Sequence, residues 1–167
     1  SLFQILLTAQ VRTLLRSRKT IALTVVQLIP AIAALVYVIF ENVDGLTMFR
    51  NIVENVTFPF LIPLAALFYG GPTIVDEMEG RTLTYLTLRP IPKTALFLGK
   101  LVAGWVVGCL VVIVPMFVLF LLSLATSDDL GATIGSMGQL SMAAALGVIT
   151  YSSIFALLGA MFTTSLI

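Results

Sequence analysis

Asp76, Glu77 and Glu79 place three carboxylates within four residues. That density could hold a divalent cation or supply an acid and a base. Arg81 stands next to them, however, and the chain has neither a histidine nor a second, remote acidic motif. The better reading is structural: pairing with basic residues elsewhere in the chain or on a partner. Ser152 and Ser153 could suggest a serine nucleophile, but no histidine is available, and no lysine lies in that apolar stretch to act as its base. Cys109 is the single cysteine and lies in an apolar run, so it forms no internal disulfide. No G-x-x-x-x-G-K-[ST] phosphate loop occurs, and the chain is therefore not expected to hydrolyse ATP. No catalytic residue, metal site or resident cofactor is expected.

These residues sit in a chain built for lipid. Of 167 residues, 59% are hydrophobic and only 10% are charged, and the mean hydropathy is +1.12. Soluble domains carry roughly 25% charged residues, and one of this length could not hide so much apolar surface. Disordered chains are polar or strongly charged, which this one is not. A formal net charge of +1 argues against a nucleic-acid partner. The composition is that of an all-α polytopic membrane protein. The sequence starts at Ser1 rather than Met and stops within apolar residues at Ile167, so a fragment of a longer polypeptide is expected.

Charge-free windows place the crossings, since a helix through the hydrocarbon core needs ~20 residues. Residues 21–40 lie between Lys19 and Glu41 and make span one; 58–75 lie between Glu54 and Asp76 and make span two. Residues 101–122 follow Lys100 and make span three, and 140–162 are the best fourth span. The first of these is too long for a signal-peptide core and ends without a small-residue cleavage site.

Lys and Arg set the orientation. Arg12, Arg16, Arg18 and Lys19 stand before span one, and Arg81, Arg89, Lys93 and Lys100 between spans two and three. The opposite side has only Arg50. The N-terminus and the 76–100 loop are therefore expected in the cytoplasm, with the protein in the inner membrane. The arm, residues 1–20, leans Phe3, Leu6, Leu7, Leu14 and Leu15 to one face. That pattern predicts an amphipathic helix in the inner headgroup layer, its basic end drawn to anionic lipid; extension of span one into the cytoplasm is the alternative. Pro30, Pro63 and Pro115 each remove a helical hydrogen bond within a span. Gly104 and Gly108 make a small-xxx-small pair, which suits ordinary packing better than a dimer seam. No charge lies in the middle of a span, so the intramembrane carboxylates of secondary transporters are missing.

The 76–100 loop is the most informative segment. After the acidic cluster the chain turns at Gly80, then offers a short helical stretch from Thr82 to Leu88 that Arg89-Pro90 and Pro92 bring to an end. A compact cytoplasmic helix presenting Leu83, Tyr85 and Leu86 is suited to docking a soluble partner. The run Arg81-Thr82-Leu83-Thr84-Tyr85-Leu86, then Arg89-Pro90-Ile91-Pro92-Lys93 and later Gly99-Lys100, resembles ABC-2 type permeases, the membrane subunits of one class of ABC transporter. The likeness extends from the basic arm through the fourth span. It implies that Asp76, Glu77 and Glu79 match the family's acidic patch and Thr82 to Leu86 its coupling helix.

The resemblance implies a permease that couples ATP hydrolysis on separate ATPase subunits to export of a substrate. ATP and magnesium would be held by those partners, and a second permease copy or homologue would complete the pair. Glu77, Glu79, Gly80, Arg81, Thr82, Leu83, Tyr85, Leu86, Arg89 and Pro90 would then form the docking segment, and Arg12, Arg16, Arg18 and Lys19 the membrane-surface arm. Such permeases usually have six spans, of which these would be the first four. The rival function is a mechanical coupling subunit that passes ATP-driven motion to an outer partner and moves no substrate; a purely structural assembly subunit is a third option. The apolar spans do not specify a substrate.

Overall fold

The computed structural model describes residues 2–40, 44–70, 93–127 and 129–164. Among them the chain is all-helical. Helix α1 runs Leu2–Leu15, α2 Arg18–Phe40, α3 Gly45–Ile52 and α4 Ile62–Gly70, with a π-helical stretch Val53–Leu61 joining the last two. Helices α5 (Lys93–Leu124) and α6 (Leu130–Thr164) complete the described chain. Four segments are long and apolar enough to cross a membrane: Arg18–Val36, Gly45–Gly70, Leu98–Leu124 and Leu130–Gly159.

The second and fourth of these begin well before the expected span starts at 58 and 140, and helix capping explains why. Asp44 accepts a hydrogen bond from the Thr47 amide at 3.1 Å, and Asp129 accepts one from the Ala132 amide at 3.1 Å. Each carboxylate thus satisfies a first-turn donor and starts a helix. Arg50 and Glu54 then fall one turn apart on an exposed face, 4.0 Å from each other, where charge is tolerated. With 35 residues, α6 is ~52 Å long at 1.5 Å per residue, well beyond the ~30 Å hydrocarbon core.

The π-helical stretch follows from two prolines four residues apart. Pro59 and Pro63 each lack an amide hydrogen, so an i→i−4 ladder would be broken twice in one turn. Widening the turn reroutes it: the Ile62 amide donates to the Thr57 carbonyl, five residues back. Pro30 in α2 and Pro115 in α5 stay within continuous helices, as membrane packing permits.

Helix α5 is the hub of the bundle. Helices α1, α2, α4 and α6 all pack on it, and α4 also lies along α6. Its buried side is made by Val107, Val111, Val112, Met116, Leu119 and Phe120, against Phe49 and Val53 of the second span and Val148 of α6. Phe49 is fully buried and meets Phe120 edge to face at 6.1 Å between ring centres. Elsewhere the helices present Ile21, Val25, Ile29 and Ile32 of α2, or Met142, Leu146 and Leu157 of α6, outward. A water-soluble bundle would hide these side chains, whereas one in lipid exposes them.

Candidate functional site at the basic end of the bundle

The helices alternate in direction, which gathers the arm, the end of α4 and the start of α5 at one end. Tyr69, in the last turn of α4, donates from its hydroxyl to Thr20 Oγ1 at 3.0 Å. Thr20 in turn donates to the Leu14 carbonyl of the arm at 2.6 Å. Both side chains are buried, so this relay ties the final turn of span two to the joint between α1 and α2. At the opposite end the Gly45 amide donates to the Thr126 carbonyl at 3.3 Å.

The helices approach closely at the basic end. A Cβ on Gly104 would lie 3.2 Å from the Tyr69 carbonyl, and one on Gly108 would lie 2.9 Å from Val148 Cγ1 and 3.5 Å from the Tyr69 ring. The small-xxx-small pair of α5 is thus used inside this bundle, as the seat of Tyr69 and a notch for α6. A Cβ on Gly70 would meet the Ser152 carbonyl at 2.5 Å. Span two is therefore held against α6 at the very residue where the loop departs. From Gly104, α5 runs ~16 Å further to Lys93, where the loop returns.

The arm is a separate helix. It ends at Leu15, the chain turns through Arg16-Ser17, and Ser17 Oγ accepts from the Lys19 amide at 3.3 Å at the start of α2. Val11 and Leu14 pack against the core, and the arm leans mainly on α5, touching α2 little. Its half-buried face is thus spent on the protein's own third span. Arg12, Arg16, Arg18 and Lys19 are all exposed, and none forms an ion pair with an acidic side chain among the described residues.

Residues 71–92 lie outside the described residues, and with them Glu77, Glu79, Gly80, Arg81, Thr82, Leu83, Tyr85, Leu86, Arg89 and Pro90. The structure gives the two roots of that segment and the arm beside them. Ser152 is buried and its hydroxyl has no partner among the described residues, so no base stands ready to activate it.

Two residues that the sequence did not single out complete the picture. Thr20 reads as one more small residue at a span start, yet it is the middle of the relay. Gln27 lies in mid-span, 3% exposed, and its Nε2 has no hydrogen-bond partner among the described residues. It borders a cavity of about 10 Å³, enough for one water, shared with Pro30, Thr57 and Pro115. A lone glutamine in an uncharged window is the signal that was available for it.

Four long apolar helices with lipid-facing side chains define an integral membrane protein of the helical-bundle class. Over residues 4–166 the chain matches the family described as ABC-2 family transporter protein, and it belongs to that family. It is accordingly a permease subunit of an ABC transporter, a membrane subunit of a family whose members associate with an ABC ATPase. Comparison with curated proteins finds no match, nor does comparison with solved structures.

Proposed function

We propose that this permease couples ATP hydrolysis on separate ATPase subunits, which hold the ATP and magnesium, to export of a substrate. It works with a second copy or homologue, in the inner membrane, with its arm and 76–100 loop in the cytoplasm. One observation carries the reading: Gly70 and the start of α5, the two roots of the loop, share one end of the bundle with the basic arm, and the Tyr69–Thr20–Leu14 relay joins the first root to that arm. Motion of an ATPase docked on Glu77 to Pro90 would reach α4 and α5 together through these roots. Because Tyr69 is tied to Thr20 and Gly70 is held against α6, the push would tilt the bundle as one body against the second permease, in alternating access.

A second reading is a mechanical coupler that moves no substrate; the apolar spans specify none for it to carry. ATP-dependent flux in sealed vesicles separates the two. Uptake into inverted vesicles that stops without ATP supports the exporter. Robust ATP hydrolysis by the assembled complex, with no flux of any lipid or hydrophobic compound tried, supports the coupler.

A further inference from the structure

Helices α2 and α5 part just below the arm and leave a groove open to lipid. Its volume is about 400 Å³, and Leu15, Thr20, Ile21, Val25, Leu110 and Val114 line it along with Thr24. That falls within the range of ligand sites, roughly 300–1,000 Å³. The two threonines offer little to a polar ligand, because Thr20 donates to the Leu14 carbonyl and Thr24 to the Thr20 carbonyl at 2.9 Å. With the rest of the lining aliphatic, the groove suits hydrocarbon. Val25 lies seven residues into α2 from Arg18, or ~10 Å down the helix, within half the thickness of the hydrocarbon core.

The mouth of the groove has the opposite character. Between Leu15 and Thr20, both of which line it, the chain carries Arg16, Arg18 and Lys19. All three are exposed, with no acidic partner among the described residues. The α2 N-terminus adds the positive end of a 23-residue helix dipole at the same level. An apolar slot topped by three cations is complementary to one kind of molecule in a bilayer.

We propose that this groove binds an anionic phospholipid, with one acyl chain between α2 and α5 and the phosphate headgroup held by Arg16, Arg18 and Lys19. The site differs from general attraction of a basic arm to a charged surface, because it requires the groove as well as the charges. It does not depend on which substrate the permease moves.

Native mass spectrometry of the full chain tests this with phosphatidylglycerol and phosphatidylcholine carrying identical acyl chains. One molecule of phosphatidylglycerol should be retained about tenfold or more in preference to phosphatidylcholine, given three cations near the headgroup. Replacing the three with glutamine (Arg16→Gln, Arg18→Gln, Lys19→Gln) should bring the two lipids level. Val114→Trp should lose retention of both while melting at the wild-type temperature, since Val114 faces outward at 52% exposure. Inorganic phosphate at millimolar concentration should not compete. Equal retention of the two lipids by the wild type would overturn the proposal, as would undiminished phosphatidylglycerol binding in Val114→Trp. A wild type blind to headgroup charge that gains the preference on neutralising Asp76, Glu77 and Glu79 would show that these carboxylates already occupy the cations, and would equally refute it.

Discussion

Substituting alanine for single glycines of the bundle should give an ordered series, because the space for a new methyl group differs sharply from site to site. At Gly70 the added Cβ would lie 2.5 Å from the Ser152 carbonyl and 3.0 Å from the Ser152 Cα, both backbone atoms. Neither can swing aside, so α4 and α6 must separate, and overpacking of this kind costs about 1–3 kcal/mol. At Gly104 the nearest atom is the Tyr69 carbonyl at 3.2 Å, and a shift of a few tenths of an ångström would accommodate the methyl. The helical preference of alanine over glycine, about 0.5–1 kcal/mol, then offsets most of that strain. At Gly135 of α6 nothing lies within 4 Å, so only the gain remains. Thermal unfolding of the purified protein in detergent should therefore rank Gly135→Ala at or above wild type, Gly104→Ala near it, and Gly70→Ala lowest. The two ends of the series should differ by about 1.5–4 kcal/mol when the strain and propensity ranges are combined. A Gly70→Ala variant as stable as Gly135→Ala would refute the close packing of span two on α6.

Two further outcomes are expected. Gln27→Met keeps the side-chain volume but removes a buried donor without a partner, so it should raise thermal stability by about 1–3 kcal/mol in the same unfolding assay; a loss of stability would mean that the amide is satisfied in the membrane. With Cys109 first changed to alanine, cysteines at Thr47 and Asp128 should react with an impermeant thiol reagent outside sealed cells, while one at Lys93 should stay protected. Labelling at Lys93 would reverse the orientation and detach the loop from the cytoplasm.

Span number is legible because charge is so unevenly distributed: charged residues divide the chain into four apolar windows, and the described residues hold four segments long and apolar enough to cross a membrane. Helix limits are less legible. Asp44 and Asp129 look like markers of a polar connection, whereas each caps a helix that starts well before the expected span. The π-helical stretch needs the pair Pro59 and Pro63 to be considered together, and a search for single breaks passes over Pro59. An amphipathic pattern in the arm specifies an apolar face but not the surface it meets. Val11 and Leu14 meet the protein's own core, where the sequence pointed to lipid. The Tyr69–Thr20–Leu14 relay joins residues 49 and six positions apart, and such pairings leave no periodic trace. The proposed docking segment rests on its likeness to a family, and it lies outside the described residues.

The central claim is that Thr82 to Leu88 docks the ATPase, and capture of that ATPase by the permease tests it most directly. Interface energy concentrates in a few buried anchors, with aromatic residues foremost, so Tyr85 and Leu86 should dominate, flanked by Glu79 and Arg81. Replacing both anchors with alanine should weaken association by about 2–4 kcal/mol without affecting membrane insertion, since no span is altered. Lys93→Ala, at the return of the chain, should have far less effect. Recovery of the ATPase at wild-type yield by the Tyr85→Ala, Leu86→Ala double variant would contradict the account and would assign those side chains to packing against the permease itself.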